Sequence, residues 1–215
     1  MTDYLTEQEQ IELLKNWIKQ YSMVILAGVV VAIIIMTGYR YYQDYQNRMF
    51  THASAVYDEM LTKRAQNNPE ETLIQAEKLF THYPKTTYAQ FAALMLAREA
   101  VTKKAYEKAE KYLQWILNHS SIASFREIAR IRLARILIAK QKPQEAINLL
   151  KKQDDKNFEG LINEVKGDAY LAMDNKTMAR ASYQEALSDL PNAEITRPLL
   201  QMKYDNLTTN QPTSS

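Results

Sequence analysis

Few side chains in this sequence are arranged to do chemistry. The three histidines, His52, His82 and His119, have no metal-ligand spacing. No HExxH, GxSxG or glycine-rich phosphate loop is present. There are no cysteines, so disulfides, thiolate metal sites and thiol nucleophiles are excluded, and the redox compartment stays open. The paired acids Asp154-Asp155 read as a solvated turn. Three Asn-x-Ser/Thr triplets, at Asn118, Asn175 and Asn206, are of a kind that arises easily by chance. The densest charge lies at 126–152. There Arg126, Arg130, Arg132, Arg135, Lys140, Lys142, Lys151 and Lys152 face only Glu127 and Glu145, a local excess of +6. Such a run fits an acidic partner, lipid headgroups, nucleic acid or simply a wet helix face. The expectation is a protein without catalytic residues, cofactor, metal or small-molecule substrate.

What remains is a question of scaffolding. The chain has 215 residues and a net charge of only +2, which argues against a dedicated nucleic-acid binder. Apolar residues are 46% and charged residues 24%, as in an ordinary folded protein. Four glycines and six prolines are too little punctuation for many short strands, so long helices with brief connections are expected.

Between Lys19 and Arg40 no charged residue occurs. The run centres on Met23–Met36 and, as a helix, spans roughly 30 Å, the thickness of a bilayer's hydrocarbon core. Trp17 and Tyr21 flank one end; Tyr39, Tyr41 and Tyr42 flank the other, as in an interfacial aromatic belt. A buried core helix and a cleaved signal peptide are the competing readings. The acids Asp3, Glu7, Glu9 and Glu12 before the run, and the bulky residues after it, point instead to an uncleaved anchor. Lys15 and Lys19 balance Arg40 and Arg48, so flanking charge leaves the orientation undecided. Gly28 and Ala32 share a helix face and form a candidate contact for another membrane helix. Residues 6–19 read as a short amphipathic helix with Thr6 and Glu9 in a capping box, or as the first turns of the anchor.

Beyond residue 43 the apolar pattern has a helical period. Breaks are expected at Asn67–Pro69, His82–Pro84, Asn118–Ser121, Gln141–Pro143, Asp154-Asp155 and Leu190-Pro191. Gly167, Tyr170, Ala179, Tyr183, Ala186 and Pro191 match the tetratricopeptide signature in register, with Tyr170 and Tyr183 expected to fill the space between neighbouring pairs. Asn163 and Lys166 depart from that pattern. Upstream, Leu96-Ala97, Ala109, Leu113 and Ile116 form one unit, and Leu133-Ala134, Leu137, Ala146 and Leu150 the next. Ala76 and Phe80 suggest a degenerate first unit. The expected fold is all-α: an N-terminal tail (1–20), a transmembrane helix (21–42), and a tetratricopeptide-like α-solenoid (43–208). The solenoid closes on a capping helix from residue 194, and a disordered tail follows (209–215).

The stretch Thr6–Trp17 running into a single span, the span's end Gly38-Tyr39-Arg40-Tyr41-Tyr42, the degenerate repeats and the closing Gln201–Leu207 together resemble the YfgM-type ancillary subunits of the bacterial Sec translocon. The resemblance covers almost the whole chain. It implies a Gram-negative inner-membrane protein with a cytoplasmic N-terminus and periplasmic repeats. It further implies association with the SecYEG channel and with a PpiD-like membrane-anchored chaperone, in aid of newly translocated proteins. It brings no functional-site motif with it.

In the repeat frame the first helices of successive pairs line a groove. The candidates are Phe91, Leu94 and Arg98, then Ile128, Ile131 and Arg135, then Glu164, Asp168 and Leu171. Apolar side chains there would supply affinity, and Arg98 and Arg135 would fix orientation. The alternative is that a neighbouring helix fills the groove. A mitochondrial outer-membrane import receptor, a scaffold with an unrelated envelope partner, an enzyme of envelope metabolism and a nucleic-acid binder using the 126–152 cluster are the competing functions.

Overall fold

The computed structural model describes residues 7–190 and 197–208. Thr6, Pro191 and the tail 209–215 therefore lie outside the described residues. Helix α1 runs Glu7–Ala65 without interruption. No proline occurs in it, so nothing stops the helix at residues 20 or 42. The chain divides into two compact units, Met1–His52 and Ala53–Ser215.

In the first unit the apolar run is exposed all round: Val24, Leu26, Ile33 and Ile35 are each more than half exposed. It is the one segment among the described residues long and apolar enough to cross a membrane. The Cβ position of Gly28 is open, with nothing within 4 Å, so the Gly28–Ala32 face has no partner among the described residues. Ile11, Leu14 and Trp17 are exposed on the same continuous helix.

The second unit begins with the last turns of α1, where Ala53 and Met60 are fully buried. They pair with α2 (Pro69–His82). Three further hairpins follow: α3 (Thr87–Thr102) with α4 (Tyr106–His119), α5 (Ala123–Ala139) with α6 (Pro143–Leu150), and α7 (Glu159–Ala172) with α8 (Lys176–Asp189). A short 3₁₀ turn, Lys156–Phe158, leads into α7, and α9 (Pro198–Thr208) closes the array on α8. No strand occurs among the described residues.

Four apolar clusters tile the unit, the first three shared by successive hairpins and the last by α8 and α9. Ala76, Ala109, Ala146 and Ala179, one on the second helix of each pair, are all at most 1% exposed. Gly167 and Tyr183 differ from the expectation that the tyrosine fills space between pairs. A Cβ on Gly167 would stand 2.4 Å from the Tyr183 ring, so the ring lies within its own pair, in the space the missing side chain leaves.

Every hairpin turns on one residue in the left-handed region, and none is a glycine: Asn67 (φ 56), Lys104 (φ 57), Gln141 (φ 62) and Asp174 (φ 55). The following amide then reaches back to the carbonyl five residues earlier: Asn68 to Lys63, Ala105 to Ala100, Lys142 to Leu137 and Asn175 to Tyr170, at 2.8–3.0 Å. This is the Schellman closure of a helix end. Asn68 and Asn175 accept from the amides of Glu71 and Met178 and so cap the second helix. Two of these turns, at Lys103–Ala105 and Met173–Asn175, are absent from the expected breaks.

A side chain in the left-handed region costs about 1–2 kcal/mol, which glycine avoids at a smaller entropic cost. Lys104→Gly and Gln141→Gly should each raise stability by about 0.5–1 kcal/mol. Lys103→Gly, at φ −85, should lower it. Denaturant midpoints of the full chain in mild detergent check both signs.

Candidate functional site

The first helices α3, α5 and α7 carry the predicted groove residues. Phe91 is 47% exposed and meets Phe125 edge-on, ring centroids 5.3 Å apart. Leu94 and Ile128 are half-buried, and Arg98 is exposed. Ile131 is turned into the core between α5, α6 and α7, so it lines no open surface. Arg135 is half exposed, with Nη2 3.6 Å from Glu164 Oε1. Leu171 is 40% exposed.

The α7 end of the groove is occupied by the chain itself. Arg197 donates to Glu164 Oε2 at 2.5 Å. Lys203 donates to Asp168 Oδ1 at 2.6 Å, and the Tyr183 hydroxyl donates to the same oxygen at 2.8 Å. Both cations belong to the segment that opens and forms α9. Glu164 and Asp168 are thus committed to closing the array.

The α3–α5 end is open. A cavity of about 400 Å³ lies between α3, α4 and α5. Ala97, Val101, Tyr106, Leu113 and Ile136 form its apolar wall; Arg98, Arg132 and Arg135 stand at its edge. Partial burial, and then the charges of Arg135 and Arg98, hold the Arg132 guanidinium below its ordinary pKa.

A chain of this architecture can be compared with known proteins. A family model described as a tetratricopeptide repeat-like domain matches residues 15–209. A Neisseria gonorrhoeae protein named ancillary SecYEG translocon subunit is 31% identical, over 96% of this chain and all of the relative. The chain belongs to the ancillary SecYEG translocon subunit family. The Escherichia coli and Haemophilus influenzae members are 27% and 26% identical, over 96% and 94% of this chain and 99% and 98% of their own lengths. No solved structure matches.

For this ancillary-subunit chain the basic run 126–152 resolves into two kinds of residue. Four of its eight cations are neutralised within the fold. Arg126 donates to Asp154 Oδ2 at 2.9 Å and to the Ser120 carbonyl at 3.0 Å. Arg130 bridges Glu127 and Asp154. Lys140 lies 3.1 Å from Glu110 and 3.4 Å from Glu107, and Lys142 lies 3.0 Å from Glu145. Arg132 is different: it faces the cavity. Reading the run as one block concealed this residue, although its position one turn from Arg135 on α5 was visible in the sequence. Among the described residues no group of His and carboxylate side chains is placed to hold a metal.

The guanidinium of Arg126, then that of Arg130, holds the Asp154 carboxyl below its ordinary value of 3.8. A lowered folded-state pKa contributes stability that is fully present above the unfolded value and is lost as pH falls through the folded one. The stability gap between wild type and Asp154→Asn should therefore be constant from pH 7 to 5. It should close below about pH 3.8, which thermal melts across that range will read.

Proposed function

We propose that this protein is a non-enzymatic, membrane-anchored scaffold that holds a tetratricopeptide domain beside a SecYEG channel. There it assists newly translocated proteins together with a membrane-anchored periplasmic chaperone of the PpiD kind. The supporting observation is similarity to ancillary SecYEG subunits along almost the whole chain, including the exposed apolar part of α1. In water so many exposed Val, Ile and Leu side chains would aggregate; in lipid their exposure is favourable. The N-terminus lies in the cytoplasm and the repeats in the periplasm. Anchoring confines the domain to the plane of the channel, which raises its effective concentration near emerging chains without any new contact. The open face Gly28–Ala32 is the contact for a channel helix, because small residues let two backbones approach.

The test is native co-purification through a tag at Ser215 from mild-detergent extracts. Channel subunits and the chaperone should be enriched. A Gly28→Leu/Ala32→Leu variant should lose the channel and keep the chaperone. An intact channel in the extract with no enrichment overturns the reading. Orientation is tested on this cysteine-free chain with an impermeant thiol reagent: Ser188→Cys should react in intact spheroplasts and Thr2→Cys should not.

A further inference from the structure

The cavity between α3, α4 and α5 has apolar walls and a cationic edge, and the fold leaves its charges largely unanswered. Among the described residues, Arg98 and Arg132 have no acceptor within hydrogen-bond or ion-pair distance. Arg135 has only the 3.6 Å approach to Glu164, which Arg197 already holds more closely. For Arg126, Lys140 and Lys142 in the same run the chain provides acids at 2.9–3.4 Å. Mutual repulsion among three exposed guanidiniums at the edge of an apolar cavity is unfavourable and is relieved by an anion that binds there. The same helix face carries Phe91 two turns before Arg98. Residues seven apart on a helix share a face and stand about 10 Å apart. An extended peptide covers that distance in about three residues.

We propose that this face binds an extended acidic segment of a protein partner. An apolar side chain lies against Phe91, and a carboxylate about three residues along the segment is held by Arg98 and Arg132. The proposal rests on the scaffold reading above and specifies what its groove takes. The apolar wall argues for a peptide over a lone phosphate, because a small hydrated ion gains nothing from Val101, Tyr106 and Leu113. Planar guanidiniums bind a carboxylate in two-point fashion, which sets the direction and register of the segment.

The probe is a fluorescein-labelled peptide with two Phe-Ser-Ser-Glu units in a Gly/Ser frame, and its twin with Gln in place of Glu, titrated against the full chain in mild detergent. Wild type should bind the acidic peptide at least tenfold tighter than the amide twin. Arg98→Gln/Arg132→Gln should abolish that difference without lowering the melting temperature, since neither guanidinium holds the fold. Arg98→Lys/Arg132→Lys should retain part of it. Equal binding of the two peptides, no binding at 1 mM, or an unaltered preference in the Gln double variant each overturns the proposal. So does displacement of the acidic peptide by phosphatidylglycerol vesicles with no such effect from phosphatidylcholine, which would assign the arginines to lipid headgroups. Channel co-purification is measured on the same preparations. If wild type enriches the channel and the peptide arms fail, only this inference falls. If the peptide arms hold and the channel is absent, the groove stands and the placement at the translocon falls.

Discussion

Arg130→Met should cost about 3–5 kcal/mol, because it strands a buried carboxylate. Glu127 is fully buried and Arg130 is 8% exposed in its side chain. Glu127 Oε1 accepts from Arg130 and from the Asp154 amide, while Oε2 has no partner among the described residues. The whole charge of Glu127 is therefore balanced by one guanidinium and one N–H. Removing the guanidinium leaves the anion without a counter-charge away from water, the costly half of the experiment. The double change Arg130→Met/Glu127→Leu should recover part of the loss and remain about 1–3 kcal/mol below wild type, since the Asp154 amide then loses its acceptor. In a domain of this size the single change should lower the melting temperature by roughly 6–20 °C. Full-length melts in detergent check it, and a single-variant loss below about 1 kcal/mol would sink the account.

Tyr183→Ala should cost about 3–5 kcal/mol. The ring is fully buried among Ala179, Ala186 and Leu200, and its hydroxyl donates to Asp168. Burial first, and then the charge of Asp168, pushes its pKa far up, so the phenol stays neutral and remains a donor at any working pH. The prediction has a built-in cross-check at Gly167. Gly167→Ala improves helix propensity by about 1 kcal/mol. Its Cβ would meet the Tyr183 ring at 2.4 Å, and overpacking of that kind costs about 1–3 kcal/mol. The ring is fixed at both ends and cannot swing away, so the net effect should be a loss. In the Tyr183→Ala background the clash is gone, and Gly167→Ala should become neutral or stabilising. A sign change between the two backgrounds, read from denaturant midpoints, is the expected result.

The repeat frame was legible because it is local. Ala109, Ala146 and Ala179 stand out by spacing alone, and all three sit at full burial. The hairpin turns at Lys104 and Asp174 were not legible, because a left-handed residue that is not glycine leaves no compositional mark. The long continuation of α1 to Ala65 was half legible: no residue breaks it, but the point where its side chains turn into a core, at Ala53, depends on partners in α2 and α3. The groove was legible only where chain neighbours decide. Arg98 and Arg135 were visible as exposed cations on first helices. That Arg197 and Lys203 would return to Glu164 and Asp168 from 33 and 35 residues away was not. Local spacing carries no information about a contact at that separation.

The substantial packing in the second unit links elements of the same hairpin or of adjoining hairpins, from the buried turns of α1 to α9. Such an array has no contact that must wait for the distant end of the chain. A polypeptide synthesised from its N-terminus can therefore dock each hairpin on the last as soon as it is complete, in the manner of a zipper. Only the final step differs. Until residues 197–208 arrive, the carboxylates of Glu164 and Asp168 and the face of Tyr183 that α9 covers lack their contacts to that segment. A nascent chain halted just before that segment presents an acidic, partly apolar terminus that the finished protein hides.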